Sequence, residues 1–177
     1  MGSVSPSLKE LAARLQDDCV AAGLTVATAE SCTGGAVAHA ITSQPGSSRY
    51  YLGGVVSYSN VVKSGVLGVP ADVLALHGAV SAQVAIAMAT GVRERLVSDL
   101  GVGVTGVAGP DGGSDDKPVG LVYVAVSDAS GADVRRFHWT GDRRDNIRDS
   151  TAAALTFLVE RAAAAAGAVH ASRATGG

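Results

Sequence analysis

Apolar residues recur along this chain with two periods, and the periods alternate. Leu8, Leu11, Leu15 and Cys19 fall three or four apart, which predicts an amphipathic helix up to about Ala22. Ser7 and Glu10 form a capping-box pattern at its start, and Gly23 stops it. Residues 24–29 read as a buried strand. Ala36, Val37, Ala40 and Ile41 return to helical spacing, and that helix ends near Ser43. A loop at 44–48 leads into a strand at 51–58 that contains Gly53 and Gly54. Ser59 caps a short helix at 60–67, and Pro70 opens another that ends at Gly78. After Ser81 comes a long helix whose apolar face is Val84, Ala85, Met88, Val92 and Leu96. A strand at 100–107, a glycine-rich loop at 108–118, strands at 119–127 and 132–140, and a helix at 143–165 complete the pattern.

Strands and helices alternate early and a hairpin comes late. The expected class is α/β: a layered α/β/α single domain with a mixed β-sheet over residues 5–166, followed by a disordered tail at 167–177. The 177 residues suffice for one substantial core. With 47% hydrophobic but only 4% aromatic residues, that core must be Ala, Val and Leu, which suits closely packed layers. A net charge of -2 argues against a nucleic-acid partner. No apolar run is long enough for a membrane span, and no signal peptide is visible. Cys19 and Cys32 belong to no CxxC pair, so neither zinc nor a disulfide scaffold is expected, and a reducing cytoplasm fits. The modest 17% of charged residues suggests a homo-oligomer, a dimer or larger.

The stretch from Val26 to Gly35 carries the most chemistry. Ser31 sits where a strand should end and a helix begin, and unpaired N–H groups at such a junction favour negative charge. A nucleophile and a helix cap are equally good readings of Ser31 from this stretch alone. Cys32 is a rival nucleophile, although a small buried cysteine is commoner. Residues 101–106 match GxGxxG literally. The glycines alternate with valine inside a strand and no helix follows, so a dinucleotide fingerprint is rejected. The loop from Gly106 to Gly113 could cradle an anion or form a mobile surface. Of the three lysines, Lys9 faces outward on the first helix and Lys117 ends a loop. Lys63 lies early in a short helix, where the helix dipole and burial would lower its pKa enough for a base; a surface lysine is the alternative. No histidine pairs with an acid, and the stretch around Ser31 lacks the glycines of GxSxG. Arg143, Arg144 and Arg148 open the last helix, as a phosphate clamp or as partners of local acids.

Three stretches taken together, Ala29 to Gly35, Tyr58 to Lys63, and Thr105 to Pro110 with Lys117 to Gly120, resemble the CinA C-terminal domain family, the nicotinamide mononucleotide deamidases. The resemblance covers nearly the whole chain and is to the stand-alone form. It implies a serine amidohydrolase that converts nicotinamide mononucleotide to nicotinic acid mononucleotide and ammonia, in pyridine-nucleotide recycling, with no metal and no cofactor. It casts Ser31 as nucleophile, Lys63 as general base and Tyr58 as a proton relay or positioning group. Thr105 and Arg143 come with it as substrate contacts. The expected binding set adds Glu30, Thr33, Gly34 and Gly35 around the nucleophile, Gly106 and Gly109 in the loop, and Arg148 on the last helix. Amides of Cys32 to Gly34 are expected to hold the oxyanion. The glycine loop should wall the site opposite Ser31, where a β-carbon at Gly109 would obstruct the ligand. The alternative is a non-catalytic nucleotide-binding or regulatory module linked to competence and DNA damage.

Overall fold

The computed structural model describes residues 6–174, with side chains as far as residue 166. In chain order the main elements are α1 (Leu8–Ala22), β1 (Val26–Glu30), α2 (Ala36–Thr42), β2 (Tyr51–Val56), α3 (Asn60–Gly65), α4 (Ala71–His77), α5 (Ala82–Leu96), β3 (Leu100–Gly106), β4 (Leu121–Asp128), β5 (Gly131–His138) and α6 (Arg143–Ala174). The capping box at α1 is formed: the Ser7 hydroxyl accepts from the Glu10 amide at 3.3 Å, and the Glu10 carboxylate accepts from the Ser7 amide at 2.7 Å. One 3-10 turn, Ser47–Arg49, occupies the expected loop before β2.

Several boundaries lie about two residues from the expected ones, among them the start of β1 and the ends of β2, α3 and β5, and two further differences have clear reasons. β4 begins at Leu121 rather than Val119, because the Leu121 amide donates back to the Pro118 carbonyl and closes a turn first. α6 continues to Ala174 rather than ending near Ala165. Alanine is the best helix former, and the run at 162–166 outweighs the cost of about 1 kcal/mol for Gly167. The backbone of 167–174 is therefore helical, and 175–177 lie outside the described residues.

The five strands form one sheet in the order β2-β1-β3-β4-β5. β1 runs parallel to β2 and β3, while β4 is antiparallel to both β3 and β5, so the sheet is mixed as expected. Strand alternation sorts its two faces. Val26, Leu100, Val102 and Val104 pack with Leu11 and Leu15 of α1, Ile41 of α2 and Leu155 and Leu158 of α6. Ala27 and Ala29 face the other way, against Val84, Met88 and Val92 of α5.

Gly101 and Gly103 lie on that second face, and they account for the literal GxGxxG. A β-carbon on Gly103 would stand 2.4 Å from the Ala85 carbonyl oxygen, and one on Gly101 would stand 2.3 Å from that of Ala89. α5 thus rests directly on the β3 backbone. The glycines serve helix–sheet packing, which is why a chain poor in aromatics still closes its core.

Gly103→Ala should therefore destabilise the protein by about 3 kcal/mol, the cost of overpacking against rigid backbone. Gly65→Ala is the control: nothing lies within 4 Å of its added carbon. That change should be neutral or stabilise by up to about 1 kcal/mol. Urea unfolding midpoints of the two variants check both signs.

Candidate active site

The parallel strands β1 and β3 end at one edge of the sheet. The chain leaves β1 for β2 on one side and returns to β3 on the other. Such a switch point parts the loops and opens a crevice beyond the strand ends. Here the crevice is a cleft of about 290 Å³ whose lining includes Ser31, Lys63, Tyr58, Thr105 and the glycine loop.

Ser31 directly follows β1. Its amide donates to the Val104 carbonyl at 2.9 Å, which fixes the backbone against β3. The side chain is buried down to 9% exposure yet still reaches the cleft. Lys63 approaches from α3, whose start is capped by the Ser59 hydroxyl accepting from the Val62 amide. Its Nζ donates to the Ser57 carbonyl at 2.7 Å and lies 3.0 Å from Ser31 Oγ. Only 1% of Lys63 is exposed. Burial holds its pKa below the usual lysine value, and the nearby Cys32 opposes this in part. Lys63 falls in the last turn of α3 rather than the first, so desolvation is the dominant cause and not the helix start. The Cys32 thiol, by contrast, is pushed by burial to about 12, so it stays protonated and is not a rival nucleophile.

Glu30 corrects one expectation. It is fully buried, and its carboxylate accepts from the amides of Gly35 at 3.0 Å, Val37 at 3.1 Å and Ala38 at 2.8 Å. The positive end of α2 is thus satisfied from within the chain, and Glu30 does not face a substrate. Gly34 and Gly35 make the turn that brings the helix back over this carboxylate, with φ of +61° and +100°. Neither they nor the buried Thr33 line the cleft. The Gly34 amide is also spent, on the Ser31 carbonyl at 3.1 Å. Of the amides expected to hold an oxyanion, that of Cys32 is turned to its own thiol, and that of Thr33 has no backbone acceptor among the described residues.

The remaining residues divide in the same way. The Tyr58 hydroxyl accepts from Arg143 Nη2 at 3.0 Å, and Arg143 Nη1 donates to the Gly109 carbonyl at 2.7 Å. Arg143 thus holds the Tyr58 hydroxyl, while Ser31 and Lys63 are in direct contact. Thr105 lines the cleft, but its hydroxyl donates to the Ala79 carbonyl at 2.7 Å and so pins the segment before α5. Arg148 pairs with Asp145 and Asp149 on the surface, away from the cleft. Gly106, Gly109 and Gly112 do line it. A β-carbon at Gly109 would meet Val119 Cγ1 at 2.5 Å, and φ there is +83°. Gly109→Val would strain the loop itself, so obstruction of a ligand is not the main effect to expect.

Three contributors carry no sequence signal of their own. The Ser57 carbonyl orients Lys63, Asn146 Nδ2 donates to the Ala108 carbonyl at 3.1 Å, and Lys117 Nζ donates to the His77 carbonyl. The last two anchor the glycine loop to α6 and to the end of α4.

Comparison with known proteins identifies the family and the fold. The CinA C-terminal domain family matches residues 8–162. A CinA-like protein of Geobacter sulfurreducens is 55% identical over 140 residues, which is 78% of this chain and 34% of that protein. A CinA-like protein of Citrifermentans bemidjiense is 57% identical over 129 residues, 73% of this chain and 31% of that one. The chain thus spans about a third of the length of these curated relatives. The crystal structure of the competence/damage inducible protein CihA from Agrobacterium tumefaciens superposes with a TM-score of 0.85 at 40% identity, covering 90% of this chain and 98% of that one. A CinA superfamily protein from Escherichia coli gives 0.85 at 31% identity, covering 90% and 92%. No helix among the described residues is long and apolar enough to cross a membrane.

The lowered Lys63 pKa has a consequence for stability. The unfolded chain binds this proton more tightly than the folded one, so stability should rise with pH between the depressed folded value and the ordinary 10.5. Lys63→Met removes the penalty. Its stability relative to the parent should be greatest at low pH and fall as pH approaches 10.5, in urea unfolding at a series of pH values. A pH-independent difference would show that burial does not act on this charge.

Proposed function

The chain belongs to the CinA C-terminal domain family, and from that premise we propose that it is an amidohydrolase that deamidates nicotinamide mononucleotide through an acyl-enzyme on Ser31. One observation carries the reading: an amine whose pKa is lowered by burial, 3.0 Å from a serine hydroxyl in the lining of a cleft. That is the minimum equipment for nucleophilic acyl transfer. The substrate assignment rests on the motifs that resemble the deamidases, and the cleft is of the size of a small-ligand pocket.

Neutral Lys63 takes the Ser31 proton as Oγ attacks the carboxamide carbon. The Ser57 carbonyl holds the amine in place throughout, and it stabilises the ammonium that forms. The Thr33 amide supplies a donor for the tetrahedral oxyanion. Lys63 returns its proton to the departing nitrogen, and ammonia leaves an ester on Ser31. Lys63, neutral again, then takes a proton from water as the hydroxide attacks the ester. The tetrahedral adduct collapses with loss of Ser31 Oγ, Lys63 returns its proton to that oxygen, and nicotinic acid mononucleotide departs with both residues restored. Arg143 lies at the rim, where its charge suits the substrate phosphate.

Ammonia release from nicotinamide mononucleotide tests the proposal. Ser31→Ala should lower kcat by more than about a thousandfold, as expected for a nucleophile. Lys63→Arg should be nearly as damaging as Lys63→Ala, since arginine keeps the charge but cannot act as a base. Near-normal turnover in Lys63→Arg would mean that the residue supplies only charge. No ammonia from the parent protein would leave the non-catalytic binding module.

A further inference from the structure

The charges along the cleft are unevenly placed. Lys63, Asp111 and Arg143 are the ionisable acids and bases of Asp, Glu, Lys and Arg type that line it among the described residues. Lys63 is buried, which lowers its pKa, and Arg143 is bound to Gly109 and Tyr58. Asp111 is the one carboxylate in the lining. It sits exposed in the glycine loop, and no hydrogen bond or ion pair occupies it among the described residues. Its neighbours Asp115 and Asp116, farther along the loop, do not line the cleft. Tyr58, 61% exposed, contributes an aromatic ring to the same lining.

A carboxylate and an aromatic face are the two groups that recognise an organic cation. An arginine at the rim recognises an anion. The lining thus offers partners for both a cationic ring and an anionic group. We infer that Asp111 is a specificity-determining residue that selects a quaternary, positively charged pyridinium ring over the uncharged ring of the same size. This inference rests on the deamidase reading for the ligand class. A glycosylated nicotinamide ring carries that charge. The reduced mononucleotide has the same ribose, phosphate and carboxamide, but its dihydropyridine ring is neutral. Asp111 acts by attraction across a partly open cleft, so its effect is modest and falls with salt.

Calorimetric Kd values for oxidised and reduced nicotinamide mononucleotide, measured on Ser31→Ala protein to prevent turnover, test this. Adding Asp111→Asn should lower the preference for the oxidised nucleotide by about three- to fivefold, the range of an exposed charge pair. Binding of the reduced form should stay unchanged. Adding Asp116→Asn instead should leave the preference intact. An unchanged preference in the Asp111→Asn protein overturns the inference. So does an equal loss with Asp116→Asn, which would assign the effect to the loop as a whole, and so does failure of both nucleotides to bind. If the preference behaves as expected but the parent protein releases no ammonia, the deamidase reading fails and the inference stands.

Discussion

Everything at this site depends on taking a lysine amine out of water and still leaving it hydrogen-bonded. A charged ammonium buried at the Lys63 position would cost several kcal/mol without a counter-ion. No carboxylate pairs with it among the described residues, and the only partners of Nζ there are the Ser57 carbonyl and the Ser31 hydroxyl. Nζ donates to both oxygens, and once the amine is neutral its lone pair is available to the hydroxyl proton. The packing that excludes water thus also lowers the pKa of the amine. The fold makes this possible because the Ser57 amide donates to the Glu30 carbonyl at 2.8 Å and extends the β1–β2 pairing by one residue. The next carbonyl is thereby directed at the lysine, while Ser31 is pinned to β3 on the other side.

Glu30 shows how the same junction avoids a conflict. Its carboxylate is adjacent in sequence to the nucleophile, and negative charge directly beside the amine would stabilise protonated Lys63. Turned onto three amides of α2, that charge is held by the helix start instead. The turn through Gly34 and Gly35 exists to bring those amides within reach. The positive end of α2 is therefore an internal clamp on the Ser31 turn, and in the proposed mechanism oxyanion stabilisation falls to the Thr33 amide, which the turn leaves without a backbone acceptor.

Much of this was readable from residue order, and the exceptions have physical causes. Leu8, Leu11 and Leu15 defined α1 through periodicity, and the hairpin of β4 and β5 followed from a turn between apolar runs. Ser31 and Lys63 stood out because the chain has only three lysines and because the surrounding motifs resemble one family. The job of Glu30 was hidden, since a carboxylate that reaches forward over a turn leaves no spacing rule. Ser57 acts through its carbonyl, which every residue type possesses. The hydroxyls of Thr105 and Tyr58 had the right chemistry for ligand contact, but tertiary structure gave them protein partners in Ala79 and Arg143. Gly109 was open to two readings, because a glycine can admit a ligand or a neighbouring side chain, and Val119 is the neighbour.

The protonation state of Lys63 is the central claim, and the small number of lysines makes it directly measurable. With ¹⁵N-labelled lysine, the side-chain spectrum should contain signals from Lys9, Lys63 and Lys117 only. The account predicts that one signal titrates well below the ordinary value of 10.5 and disappears in Lys63→Met protein. Three signals that all titrate near that ordinary value would contradict it, because Lys63 would then be charged at neutral pH and could not accept the Ser31 proton.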